Sequence, residues 1–172
     1  MKRKSRLDSQ KAWMDLALWY CSKRETSRSG LLRYLKRKLR ETREDHTPQT
    51  EEAEGWLVTV VDECVRLRIV EDARYADILQ REFERRGKGS RYIRQKLMEK
   101  GLKERVETLV IDPERELLRA VDLASRTLER SAFKNIADPR ELRMKLLRKL
   151  VSSGFDLGTA KRAVEEAIRG LS

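Results

Sequence analysis

Apolar side chains recur every three or four residues through most of the chain, which is the period of an amphipathic α-helix. The run Trp13, Leu16, Ala17 and Tyr20 is an example. Only eight glycines and three prolines interrupt the 172 residues, which favours long helices. The sequence therefore predicts an all-α fold. The predicted helices begin near residues 11, 28, 50, 72, 90, 103, 113, 139 and 157.

The apolar spacing of the fifth predicted helix repeats elsewhere in the chain. Its pattern is I-x-x-x-L-x-x-x-G-L from Ile93, and it returns 53 residues later as L-x-x-x-L-x-x-x-G-F from Leu146. A weaker copy begins 62 residues earlier at Leu31, with Leu39 in place of the glycine. This recurrence predicts three tandem three-helix repeats in an elongated, curved array of right-handed helices. The predicted segments are a basic tail at 1–10 and repeats at 11–70, 71–111 and 113–172.

The chain is strongly basic, with a net charge of +11. Residues 1–43 carry 14 basic and 4 acidic side chains, residues 44–80 carry 3 and 10, and residues 81–103 carry 9 and 3. A protein of this charge usually meets a polyanion such as nucleic acid or an acidic protein surface. The uneven distribution indicates separate basic and acidic surfaces along the chain.

Three clusters of basic residues are candidate binding surfaces, although any of them could instead be an ordinary solvated helix face. The first has few acidic neighbours and contains Gly87 and Gly89, which would let the backbone approach a partner. Arg91 and Arg94 are expected to point away from the apolar face of their helix and so to be free to meet a partner. The first cluster is Arg85, Arg86, Lys88, Arg91, Arg94, Lys96 and Lys100. The second is Arg33, Lys36, Arg37, Lys38 and Arg40, and the third is Arg143, Lys145, Arg148 and Lys149.

The sequence offers little for catalysis or for binding a cofactor or a metal. Gly87-Lys88-Gly89 lacks the span of a phosphate-binding loop, and the single histidine, His46, lies in a predicted polar loop. Cys21 and Cys64 are expected to be buried thiols in a reducing compartment. No apolar run approaches the roughly 18 residues of a membrane span. We therefore expect a cytoplasmic, monomeric, non-enzymatic protein without cofactor or metal.

The stretch from residue 72 to residue 102 closely resembles the RecX family, the regulators of RecA recombinase. The matching features, in order, are Asp72–Ala76, Gly87-x-Gly89, Ile93–Leu97 and Lys100-Gly101-Leu102. The resemblance implies a three-repeat fold and binding in the groove of the RecA–DNA filament. It also implies inhibition of RecA ATPase, strand exchange, recombination and the SOS response. The acidic insert near residues 41–54 and the missing glycine of the first repeat depart from the repeat pattern.

Two other functions are compatible with the residues. The fifth helix could be a recognition helix that reads nucleic-acid bases directly through Arg91, Arg94 and Gln95. The chain could also be a general helical scaffold. Because no clear base-reading code accompanies the positive charge, we expect DNA binding to be weak, salt-sensitive and without sequence preference, whereas a recognition helix would bind one DNA sequence tightly.

Overall fold

The protein is described by a computed structural model over residues 7–42, 50–130, 136 and 138–170. All regular secondary structure within these residues is α-helical, which confirms the predicted fold class. The helices are α1 (Gln10–Lys23), α2 (Arg28–Thr42), α3 (Thr50–Arg66), α4 (Asp72–Arg85), α5 (Ser90–Glu99), α6 (Lys103–Glu107), α7 (Pro113–Leu128), α8 (Pro139–Ser152) and α9 (Leu157–Arg169).

The sixth helix is shorter than its apolar pattern predicts. The pattern extends to residue 111, but α6 ends at Glu107 and Val110 is 83% exposed. The carboxylate of Asp112 accepts hydrogen bonds from the backbone amides of Glu114 and Arg115 and so begins a new helix at once. Two apolar residues in or next to helices, Leu67 and Leu118, are also exposed.

The chain divides into two compact units. The first comprises the described residues up to Ala76 together with Lys100–Lys103, and the second comprises Asp77–Glu99 and the described residues from Glu104 onward. The second predicted repeat, at 71–111, is therefore shared between the two units. The division into three repeats stays a prediction.

The core of the first unit is formed by α1, α2 and α3. Trp13, Leu31, Leu35 and Leu57 are completely buried there. Burying a side chain of this size contributes about 1.5–3 kcal/mol. Leu31 and Leu35 are one helical turn apart on α2, so the stripe predicted for that helix is confirmed.

The core of the second unit contains α7, α8 and α9. Leu146, Leu150 and Phe155 are completely buried. The helix α9 contributes small side chains, including Ala160 and Ala163, which allow its backbone to approach the neighbouring helices closely. Ile93 and Leu97 on α5 are also completely buried, as their spacing predicts.

Within the first unit, a cluster that we call the first junction holds the beginning of α2. The hydroxyl of Ser27 accepts a hydrogen bond from the amide of Gly30 and donates one to the carbonyl of Lys100, at 3.0 and 2.5 Å. Ser27 is thus the N-cap of α2. Gly101 has φ of +77°, and a side chain added to it would lie 2.6 Å from Cβ of Ser29. The first junction comprises Ser27, Ser29, Lys100 and Gly101.

Within the second unit, a similar cluster holds the beginning of α5. The amide of Gly89 donates to the carbonyl of Ser153, and the amide of Arg91 donates to that of Gly154, both at 3.0 Å. Gly154 has φ of +94°, and a side chain added to it would lie 2.5 Å from the backbone nitrogen of Tyr92. The second junction comprises Gly89, Tyr92, Ser153 and Gly154.

The two junctions occupy corresponding places in the sequence. Gly89 follows Ser27 by 62 residues, and Ser153 follows Lys100 by 53, which are the two shifts of the apolar pattern. A carboxylate caps the first amide of each helix, because Arg28 donates to Asp72 and Ser90 donates to Glu116, each at 2.7 Å. These matching contacts are consistent with a tandem-repeat arrangement.

The junctions also correct one expectation about the glycines. Gly89 was expected to let the backbone approach a binding partner, but the space beside it is filled by the backbone of Gly154 and Phe155. Gly87, with φ of +68°, ends the turn after α4. The close approach that Gly89 allows is therefore between two segments of this chain and not between the chain and a partner.

Candidate polyanion-binding surface

The end of α4 and the outer side of α5 carry the most accessible part of the first basic cluster. The side chains of Arg85 and Arg91 are exposed, and neither forms an ion pair or hydrogen bond with another described residue. Arg86 is also exposed but pairs with Glu82 one turn earlier. Arg85 and Arg91 therefore keep their full hydrogen-bonding capacity for a partner.

A tyrosine that the sequence did not single out organises two of the lysines. The ammonium groups of Lys88 and Lys96 lie 4.8 and 5.5 Å from the ring centre of Tyr92, within the range of cation–π attraction. The ring of Phe83 meets Tyr92 edge-on, with the ring centres 5.3 Å apart. The signal that could have revealed this arrangement is the placement of a lysine four residues before and four after an aromatic residue.

Lys96 is partly neutralised by its own helix. Its ammonium group donates to Glu99 at 2.7 Å, and this hydrogen bond raises the pKa of Lys96. Lys96 consequently keeps its proton at neutral pH, but it shares its charge with a carboxylate. We therefore expect it to attract a partner less strongly than Arg91 does.

The prediction that Arg94 is free to meet a partner is wrong. Its guanidinium donates to the carbonyls of Val106 and Leu109, at 2.9 and 3.4 Å. These carbonyls lie in and just beyond the last turn of α6, where backbone acceptors have no partner within the helix. A helix continuing to residue 111 would have satisfied the carbonyl of Val106 within itself, although not that of Leu109 in its last turn. Arg94 therefore fastens the end of α6 instead of projecting into solvent.

The use of α5 as a recognition helix is weakened by the same contacts. Of its three candidate base-reading side chains, Arg94 holds α6 and Gln95 donates to Glu99 at 3.1 Å. In helix-turn-helix proteins the beginning of the recognition helix enters the DNA groove. In this chain the second junction covers the backbone at the beginning of α5. Only Arg91 remains available for base contacts.

The second basic cluster lies on α2 in the first unit, and part of it is paired internally. Lys38 donates to Glu41 at 2.6 Å, and this hydrogen bond lowers the pKa of Glu41. Arg37 lies 3.6 Å from the same carboxylate and over the ring of Tyr34. The remaining members, Arg33, Lys36 and Arg40, are at least partly exposed. Lys100, from the first cluster, is exposed and also belongs to the first unit.

The third basic cluster lies on α8 in the second unit. Arg143 and Arg148 are exposed, and neither pairs with an acidic group in the part of the chain that the structure describes. Lys149 is half-buried, while Lys145 pairs with Glu141 at 2.7 Å. The binding roles of all three clusters stay predictions.

The described residues include no group of three or more His, Cys, Asp or Glu side chains placed to hold a metal ion, and His46 lies outside them. None of the helices described is long and apolar enough to cross a membrane. Cys64 is buried, Cys21 is half-buried, and both are free thiols. Burial, reinforced by Cys64 and Glu25, raises the pKa of Cys21 to about 11, so it is not an activated nucleophile.

Both the sequence and the structure of this chain are similar to those of known proteins. The chain is 29% identical over 153 residues to the regulatory protein RecX of Myxococcus xanthus strain DK1622, a match that covers 87% of this chain and 82% of that protein. The crystal structure of RecX from Lactobacillus salivarius superposes with a TM-score of 0.73 at 20% identity, over 93% of this chain and 97% of that one. The resemblance to the RecX family is confirmed.

A second RecX crystal structure gives the same fold. It matches with a TM-score of 0.69 at 22% identity and covers 94% of this chain and 71% of its own. At these identities the two RecX structures establish the helical architecture alone. No protein-family model matches the sequence.

Proposed function

We propose that this chain is a non-enzymatic regulator of RecA that binds the filament RecA forms on DNA. It lodges in the filament groove and inhibits RecA ATPase, strand exchange and the recombination and SOS activities that depend on them. The proposal is supported by the likeness to a protein named regulatory protein RecX. The observation that carries it is that the exposed side chains of Arg85 and Arg91 pair with no described residue, in the same unit as the ring of Tyr92 and its two flanking lysines.

The charge of the chain suits this target. A nucleoprotein filament presents phosphates and acidic side chains, and a net charge of +11 raises the rate of encounter with such a surface. The nucleotide that is hydrolysed would belong to the filament. Binding to DNA alone is proposed to be weak, non-specific and sensitive to salt, because it would depend on release of phosphate counterions.

The proposal includes the form in which the protein acts. It would work as a cytoplasmic monomer built from three three-helix repeats at 11–70, 71–111 and 113–172. The matching contacts at Ser27 and Gly89 support the repeats.

The decisive experiment measures RecA ATPase on DNA as this protein is titrated into the reaction. Wild-type protein should inhibit the ATPase. Arg85→Glu with Arg91→Glu should raise the concentration for half-inhibition by at least about tenfold, because two attractive charges become repulsive. Arg94 is left unchanged, since its substitution would disturb α6.

A control with the same net charge uses two arginines outside the three basic clusters. Arg66 in α3 and Arg115 in α7 are exposed, and each pairs with a carboxylate three residues before it, at Glu63 and Asp112. Arg66→Glu with Arg115→Glu should therefore inhibit nearly as well as wild type. Failure of wild-type protein to inhibit would contradict the proposed function. Tight, salt-resistant binding to one DNA sequence would instead favour a direct nucleic-acid-binding protein.

A further inference from the structure

The helix α8 carries a second apolar stripe beside the one that enters the core. Leu146 and Leu150 are completely buried, but Met144 and Val151 are 49% and 36% exposed. Leu147 lies between them at spacings of three and four residues, so the three side chains share one helical face. Leu147 is half-buried because it also packs against the core of the second unit. This surface, the α8 stripe, comprises Met144, Leu147 and Val151.

Unpaired arginines surround the α8 stripe. Arg140 extends it by one turn, and Arg143 and Arg148 flank it on either side. All three are exposed, and none forms an ion pair with a described residue. Lys145, by contrast, forms an ion pair with Glu141 on the same helix. Within the described part of the chain, the arginines bordering the stripe thus have no acidic partner, whereas a lysine on another face of the same helix is paired.

The corresponding stripe of α5 has different chemistry. Subtracting 53 from the residue numbers of the α8 stripe gives Arg91, Arg94 and Met98, so two apolar positions are replaced by arginine. Phosphate oxygens accept hydrogen bonds from arginine but gain nothing from methionine or valine. Methionine and arginine together are typical of protein–protein interfaces, where methionine adapts to irregular apolar surfaces.

We propose that the α8 stripe docks onto the protein component of the filament, at a surface that presents apolar side chains bordered by carboxylates. The arginines around the stripe would pair with those carboxylates, and Met144 and Val151 would be buried by the contact. The surface around Arg91 would then serve the phosphate backbone. This assignment rests on the proposed function and divides it between two helices.

The test compares binding to RecA filaments assembled on DNA with binding to the same DNA without RecA. The variant Met144→Asp with Val151→Asp introduces two carboxylates into the stripe. It should weaken filament binding by at least about tenfold and leave binding to naked DNA at the level of its control. The matched control is Leu118→Asp with Leu157→Asp, because these side chains are 66% and 53% exposed in the same unit and carry the same added charge.

A second variant separates docking from folding. Arg148→Glu changes an exposed side chain outside the core, so it should keep the circular dichroism of wild type and still weaken filament binding more than DNA binding. If Arg148→Glu, the stripe variant and the control bind the filament with equal affinity, the assignment of the α8 stripe is overturned but the proposed function is not. Parallel losses on filament and naked DNA would show a phosphate surface and would also overturn it. Absence of filament binding by wild-type protein would defeat the proposed function itself and this assignment with it.

Discussion

Each of the two junctions holds the beginning of a helix, but they do so through different kinds of hydrogen bond. In the first, a side-chain hydroxyl makes the link, from Ser27 to the carbonyl of Lys100. In the second, the link is a backbone amide, from Gly89 to the carbonyl of Ser153. The hydroxyl link is made by a side chain, and the close neighbour of Gly101 is the side chain of Ser29, whereas the amide link brings two backbones into direct contact. The second junction should therefore tolerate substitution less well than the first.

The largest effect is expected from Gly89→Ala. The added methyl group would overlap the backbone of Gly154 and Phe155, which cannot move aside as a flexible side chain could. We expect a loss of about 3 kcal/mol in the free energy of unfolding, measured by chemical denaturation. Gly55→Ala is the control, because open space surrounds Gly55 in α3 and alanine favours the helix by up to about 1 kcal/mol. Equal stability of the two variants would show that the backbone contact is not tight.

A smaller loss of about 2 kcal/mol is expected from Gly101→Ala, through its positive φ and its overlap with the Ser29 side chain. Because Ser29 can be shortened, Ser29→Gly should recover part of this loss. The double-mutant cycle should give a favourable coupling of about 1 kcal/mol. Strictly additive effects of Gly101→Ala and Ser29→Gly would contradict the contact.

The carboxylates that cap α5 and α2 should differ in the same direction, and the cap of α2 should give the smallest effect of the series. Glu116 is 6% exposed and its hydrogen bond to Ser90 is partly buried, so Glu116→Ala should cost about 2 kcal/mol by leaving an amide without a partner. Asp72→Ala should cost about 1 kcal/mol, because water can reach the exposed amide of Arg28. Thermal denaturation of both variants measures the difference. A larger loss for Asp72→Ala would reverse the order of the two junctions.

Much of the fold could be predicted because it depends on periodic burial. Ile93, Leu97, Leu146 and Leu150 were assigned to the core from their spacing, and all four are completely buried. By contrast, Leu118 in α7 is apolar but 66% exposed. Periodicity gives the direction of an apolar face to within about a residue and does not count the neighbours available to cover it.

The candidate site was predicted less completely. The exposure of Arg91 follows from its place opposite the buried face of α5. The engagement of Arg94 could not be foreseen, since it depends on α6 stopping at Glu107 and leaving carbonyls within reach. The role of Tyr92 was not predicted, because the contacts of its ring with Lys88 and Lys96 form only when those side chains fold back over it.

The sequence by itself determined the helices, their buried stripes, the excess of positive charge and the resemblance to the RecX family. These properties depend on local spacing and composition, which the order of residues contains directly. Only the tertiary structure decided what the signature glycines and arginines do. Gly89 and Arg94 contact groups 64 and 12 residues away in the chain, at Ser153 and Val106. Contacts of this kind depend on where distant backbone amides and carbonyls come to lie, and no local pattern of side chains specifies that.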